Sequence, residues 1–255
     1  MTQPATNPRV LIGGGSGGIG AATARALAQD GWDVILTYRT NQDAAERVAK
    51  EIQELGRSAE IVQVDLNDHA GTAATVAAVG QVEPLSGVVY AAGPHIPMNY
   101  IANTEIARFT ETINSDLVAA FALIRPALPQ LRETGGAVLA VSTPAVTRFA
   151  KKDLLSAAPK AGVEQIIRGI ASEEGRFGVR ANCVAVGLLE GEGMWNELIE
   201  RGDYTPEMLA AARRSIALRS FGHVSDVAEA AKFLMSPRAK WITGQVLAVD
   251  GGYSV

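Results

Sequence analysis

Val10-Leu11-Ile12-Gly13-Gly14-Gly15-Ser16-Gly17-Gly18-Ile19-Gly20 runs from a short apolar segment through a string of glycines into an alanine-rich, helix-forming one. That order predicts a strand, a tight turn and a helix. Glycines at such a turn let the chain reverse sharply and let a phosphate approach backbone amides at the helix start. There the aligned peptide dipoles favour negative charge. The stretch therefore reads as a pyrophosphate cradle opening a parallel sheet, a context that a merely flexible glycine loop lacks. Its spacing is Gly14-x-x-x-Gly18-x-Gly20, not G-x-G-x-x-G.

Outward from this turn, short apolar runs alternate with helical patterns to the end of the chain. Strands are expected at 10–12, 33–38, 60–64, 87–91, 137–141, 180–186 and 245–249. Helices are expected at 19–29, 41–55 (with Asn41 as N-cap), 156–174 and 224–234, and 106–131 reads as two helical segments. Strands separated by helices of this length imply right-handed βαβ units. The fold class expected is α/β: a Rossmann-type doubly wound parallel sheet forming a single domain, residues 1–255. Between the sixth strand and the next helix lies one long insertion, 188–220, with Gly191, Gly193 and Gly202 and apolar residues at helical spacing (Met194, Trp195, Leu198, Ile199). At the carboxyl end of a strand, such a segment suits a substrate lid.

Composition narrows the function. Apolar residues make up 47% of the 255 and aromatics only 5%, so Ala, Val, Ile and Leu must build the core, as in a sheet covered on both faces. The net charge of -4 comes without a long basic run, which argues against nucleic acid as a partner. The lone cysteine, Cys183, cannot form an internal disulfide. No apolar run approaches the ~20 residues of a membrane span, and residues 1–8 are polar without a signal-peptide pattern. A cytoplasmic protein without metal, acting on a small molecule away from membranes, is expected.

The second strand ends Thr37-Tyr38-Arg39-Thr40. A carboxylate here would bind the ribose hydroxyls of NAD. None is present, and Arg39 is placed to meet a 2′-phosphate, which favours NADP(H). Further on come Val64-Asp65-Leu66, Tyr90-Ala91-Ala92-Gly93, Trp241-Ile242-Thr243-Gly244-Gln245 and Val249-Asp250-Gly251-Gly252. Taken in order, these motifs resemble the short-chain dehydrogenase/reductase family over almost the whole chain. The resemblance implies cofactor contacts at Gly14, Ser16, Gly18, Ile19, Gly20, Arg39, Thr40, Asp65, Leu66, Ala92, Gly93, Lys160 and Gly187. It also implies a homodimer or homotetramer.

In that family a Ser and a Tyr bind the substrate oxygen, a Lys four residues beyond the Tyr lowers its pKa, and an Asn holds a relay water. Here the Asn slot falls on Asp116 (Asn114 lies two residues earlier), the Ser slot on Thr143, and the Tyr slot on Ser156, while Lys160 is kept. The Pro-Gly after the sixth strand is Val186-Gly187, and the following Thr is absent. A phenol near pKa ~10 can be tuned towards neutrality by an ammonium, whereas a serine hydroxyl is too weak an acid to protonate an alkoxide alone. Ser156, Thr143 and Lys160 can instead form an oxyanion site. Reduction of a conjugated C=C in an enoyl thioester needs that kind of site, with the carbon-bound proton coming from elsewhere.

The Ser-x-x-x-Lys pattern, Ala91-Ala92-Gly93-Pro94-His95-Ile96 and Lys160-Ala161-Gly162-Val163-Glu164 resemble in part the 2,4-dienoyl-CoA reductases. That branch has a tyrosine where this chain has Ala145. His95 and Tyr100, in the loop after the fourth strand, are candidate replacement acids. Arg213 and Arg214 either meet the phosphates of a carrier such as CoA or form a solvated helix face. The reading is an NADP(H)-dependent oxidoreductase reducing an activated C=C or C=O of a small apolar or thioester substrate. Its alternatives are an ordinary carbonyl/alcohol oxidoreductase with a substitute donor, and an inactive homologue that binds NADP(H) or a partner.

Overall fold

A computed structural model describes residues 7–191, 195, 199–200, 202 and 205–255. Seven strands form one sheet in the order β3-β2-β1-β4-β5-β6-β7. They are β1 (Arg9–Gly13), β2 (Asp33–Tyr38), β3 (Ala59–Gln63), β4 (Gly87–Tyr90), β5 (Ala137–Ser142), β6 (Arg180–Val186) and β7 (Val246–Val249). Every pairing is parallel. The order reverses between β1 and β4, where the register pairs Gly13 with Tyr90. That crevice, at the carboxyl ends of the strands, is where ligands bind in open α/β sheets.

The alternation of side chains along each strand divides the core in two. Val10, Ile12, Val34, Leu36, Val89 and Leu139 point to one face, where they meet α1 (Gly18–Gln29), α2 (Gln42–Glu54) and α9 (Val224–Met235). Leu11, Ile35, Val88, Tyr90, Val138 and Ala140 point to the other. There they meet α3 (His69–Val82), α5 (Ala119–Ile124), α6 (Leu128–Thr134) and α7 (Leu154–Glu174). The sheet is thus buried on both sides, which is why its strands are apolar at nearly every position.

Most predicted elements lie within a residue or two of their observed ends, and the Asn41 side chain accepts the Ala44 amide at 3.0 Å as an N-cap. Three differences have physical causes. Helix α3 was not anticipated: Ala and Val surround it almost evenly between Gly71 and Gly80, so no apolar stripe marks it, although Asp68 caps it through the Gly71 amide. The two helical segments expected over 106–131 are α4 (Ile106–Thr112), a π-helical stretch (Ile113–Val118), α5, a 3₁₀ turn (Arg125–Ala127) and α6. Finally, α7 starts at Leu154, not 156, because Asp153 supplies its N-cap position. Of the stretch 188–220, residues 192–194, 196–198, 201, 203 and 204 lie outside the described residues, Gly193, Met194 and Leu198 among them. Its described part includes α8 (Pro206–Ser215), capped by the Thr205 hydroxyl. Among the described residues no helix is long and apolar enough to cross a membrane.

Candidate functional site

The glycine turn is built as a cradle. Gly14 has φ +79°, and a Cβ there would lie 3.0 Å from the Cα and the N of Ala92. Its amide donates to the Thr37 hydroxyl (3.1 Å), and its carbonyl accepts from Gly17 (3.1 Å). A Cβ on Gly20 would come within 2.2 Å of that same carbonyl. Gly17 occupies the N-cap of α1 with no side-chain cap and no acidic residue follows in the first turn. Leading amides of a helix lack intrahelical partners, so this end keeps donors for an anion. The turn fits a dinucleotide pyrophosphate. Arg39 and Thr40 are exposed beyond the end of β2, and Asp65 is exposed beyond β3. The Asp65 carboxylate accepts the backbone and side-chain nitrogens of Asn67, at 3.0 and 3.1 Å. Leu66 packs against the core.

Below the cradle, three polar side chains are locked together. The Lys160 ammonium lies 2.8 Å from the Asp116 carboxylate and 3.3 Å from the Ala92 carbonyl. The Tyr90 hydroxyl is 3.0 Å from the same carboxylate oxygen and 2.9 Å from the Asp116 carbonyl. The ammonium also sits 5.0 Å from the Tyr90 ring centre. Asp116 reaches this position because it lies in the π-helical stretch, a feature common at functional sites. Gly162 allows that stretch close to α7, since a Cβ there would meet the Leu117 side chain at 2.7 Å. Burial, followed by the charge and hydrogen bond of Asp116, pushes the Tyr90 phenol well above its usual range. Tyr90 is fully buried, so its phenol is closed off from any substrate. Sequence reasoning singled out Asp116 and Lys160 but missed Tyr90, which reads in sequence as an ordinary apolar strand residue.

Lys160, Ser156, Thr143 and Asp116 all line one cleft of about 950 Å³, together with Gly18, Ile19, Ala92, Gly93 and Gly187. Thr143 uses its oxygen to accept the Ala145 amide (3.2 Å), which leaves its proton available. Next to Thr143 in the chain, Ser142 donates to the buried Glu164 at 2.7 Å, and Glu164 also meets Arg168 at 3.1 Å. His95 borders the cleft. Tyr100 does not: it is half exposed, with the Lys152 ammonium 5.1 Å from its ring centre. From the long insertion, Leu188, Leu189, Trp195 and Ser215 reach the cleft wall. Arg213 lies 4.0 Å from Glu190 and 4.9 Å from the Phe221 ring centre.

The cleft also contains Asp153, which sequence reasoning missed. It lies three residues before Ser156 and seven before Lys160, one face of a helix. Burial raises its carboxyl to about 6. Among the described residues no cluster of His, Cys, Asp and Glu is arranged to hold a metal.

Comparison with known proteins agrees with this fold. The family described as enoyl-(acyl carrier protein) reductase matches residues 14–254. An uncharacterized oxidoreductase of Bacillus subtilis, YmfI, is 30% identical over 249 residues, spanning 97% of this chain and 99% of the relative. Among solved structures, a short chain dehydrogenase from Burkholderia cenocepacia in complex with NADP superposes with a TM-score of 0.88 at 29% identity, covering 97% of this chain and 98% of that one. A blue fluorescent protein from a metagenomic library, in complex with NADPH, gives 0.87 at 28% identity, covering 99% and 100%.

Proposed function

The chain belongs to the short-chain dehydrogenase/reductase family of oxidoreductases, and on that premise we propose that it is an NADP(H)-dependent reductase without a catalytic tyrosine. Its substrate is an activated double bond, first the C=C of an enoyl thioester and second a carbonyl, on a small apolar molecule. The observation that carries this reading is the placement of Lys160, Ser156 and Thr143 in the same cleft as the glycine cradle. When bound, the reduced nicotinamide supplies a hydride. In this reading Lys160 binds the nicotinamide ribose, and the Thr143 and Ser156 hydroxyls donate to an oxygen that gains charge. Ile96, Leu155 and Leu189 give the cleft apolar walls, and Leu188, Trp195, Ala211 and Ser215 of the long insertion also line it.

The preference for NADP(H) is supported by the exposed Arg39 and by neighbours solved with NADP and NADPH. Arg39→Ala should weaken NADPH about 10- to 100-fold, the worth of one or two charge-assisted hydrogen bonds. NADH should bind as before, and competitive fluorescence titration of both nucleotides checks this. Cytoplasmic placement goes with the same reading.

Assembly as a homodimer or homotetramer is supported by two surfaces. Leu117, Phe121, Gly162 and Ile166 line an apolar hollow of about 420 Å³ on α5, α7 and the π-helical stretch, with Phe121 half exposed. Trp241, five residues before the sheet-edge strand β7, is 96% exposed. Phe121→Glu should shift the particle to a smaller species by light scattering after gel filtration, without loss of helix content.

The deciding experiment is NADPH titration followed by a hydride-transfer screen of enoyl thioesters and simple ketones. NADPH binding with thioester turnover bears the proposal out. Ketone turnover alone transfers it to carbonyl chemistry with a substitute acid. Binding without turnover identifies an inactive cofactor-binding homologue, and no binding removes the enzyme reading.

A further inference from the structure

Resting on the reductase reading above, we propose that Asp153 is the proton donor of this cleft, doing what Ser156 is too weak an acid to do. The backbone holds Asp153 at the N-cap of α7, where an aspartate ordinarily accepts a helix amide through its side chain. Here the Asp153 carbonyl takes both amides instead, from Ser156 (3.2 Å) and Ala157 (2.9 Å), and the carboxylate makes no capping bond. Among the described residues no donor reaches that carboxylate. Two features fix the turn that carries it: Lys152 is in the left-handed region at φ +72°, and Asp153 bridges to Asn99 in the loop after β4. A strained residue beside an unpartnered cleft carboxylate is the kind of arrangement that cores avoid and active sites keep.

Two other acids are already engaged. Tyr90 is buried and bonded to Asp116, and Asp116 is paired with Lys160. Lys151 and Lys152 on the same turn, Arg148 after β5, Lys160 on α7 and Asp116 opposite make no hydrogen bond or salt bridge to Asp153. His95 from the β4 loop and Tyr253 near the C-terminus border the same cleft. Burial raises the Asp153 carboxyl to about 6, even though a helix N-terminus favours the ionised form. That value suits an acid working near neutral pH.

The step balances. Hydride from the reduced nicotinamide forms a C–H bond at the β carbon as the C=C π bond breaks, and the electron pair moves onto the α carbon and the thioester oxygen. The Asp153 O–H bond then breaks and its proton forms a C–H bond at the α carbon. The carboxylate left behind regains a proton from solvent. The substrate is reduced by two electrons, the nicotinamide is oxidised by two, and one proton is consumed. For a carbonyl substrate the same proton goes to the alkoxide oxygen.

The test uses the full chain labelled with [4-¹³C]aspartate, titrated by NMR, together with pH profiles of trans-2-enoyl-coenzyme A reduction at saturating NADPH. One resonance, absent from Asp153→Asn, should titrate near pH 6. Wild-type kcat should fall tenfold per pH unit above that value, because only the protonated form delivers the proton. Asp153→Asn should lose about 100-fold or more in kcat and lose that limb of the profile. Its NADPH affinity should stay within about twofold, and Asp153→Glu should recover part of the rate and a carboxyl-controlled limb. A resonance titrating in the ordinary carboxylate range, or a wild-type limb surviving in Asp153→Asn, overturns the donor while leaving the reductase standing. A wild type that binds no NADPH or reduces no enoyl thioester or ketone overturns the reductase, and the donor with it. The carboxyl label separates Asp153 from the imidazole of His95.

Discussion

Lys160→Met should lower stability by about 3–5 kcal/mol, because it strands the Asp116 carboxylate in a buried site without its counter-charge. For a chain of this size that is a fall of roughly 10 °C in Tm. The pair is 2.8 Å long, with side chains only 11% and 3% exposed, so solvent does little to replace the lost ammonium. What remains to Asp116 is the Tyr90 hydroxyl, which has one proton for two acceptors. The double variant Lys160→Met, Asp116→Leu should recover most of that loss, since replacing both partners of a buried ion pair by apolar groups is often neutral. NADPH binding should be weakened in both variants, because the ammonium is gone from the cleft in each. Calorimetry and nucleotide titration on the same samples therefore separate the two roles of Lys160. Equal Tm values for the wild type and Lys160→Met would mean that the pair is not a structural element. Recovery of NADPH affinity in the double variant would mean that Lys160 does not serve the nucleotide.

The fold was legible because its signals are local and repeated. Short apolar runs such as Val10-Leu11-Ile12 and Val34-Ile35-Leu36, glycines at one turn and an Asn cap at Asn41 each needed only a few neighbouring residues. Helix α3 escaped because its burial is not striped, and the π-helical register of Ile113–Val118 escaped because one extra residue per turn leaves no trace in composition. The candidate site was legible wherever a slot in a motif carried it, as at Thr143, Ser156 and Lys160. Tyr90 and Asp153 were not legible in that way, because their properties come from what surrounds them. Tyr90 is an ordinary strand residue until Asp116 arrives from 26 residues away, and Asp153 is an ordinary cap until the cleft desolvates it. Burial and long-range partners are what the chain acquires by folding.

Gly20→Ala should abolish measurable NADPH binding, an effect of at least about 100-fold, and cost about 1–3 kcal/mol of stability through overpacking. The added methyl would lie 2.2 Å from the Gly14 carbonyl oxygen and 2.9 Å from its carbon, and both are backbone atoms that cannot rotate away. Relief requires the turn to move. That same carbonyl holds the Gly17 amide at 3.1 Å, so movement breaks the hydrogen bond that shapes the cradle. Gly17→Ala supplies the contrast. Its φ of -88° is ordinary for any residue, and a Cβ there would meet only the Gly14 carbonyl, at 3.5 Å. It should leave Tm nearly unchanged while still lowering NADPH affinity, because the methyl takes space that the turn keeps open for the pyrophosphate. Loss of affinity in both variants, with loss of stability in Gly20→Ala alone, places the phosphates on this turn. Normal NADPH binding by a destabilised Gly20→Ala would remove them from it, and would leave the close approach of Gly14 and Gly20 as a packing requirement of β1 against α1.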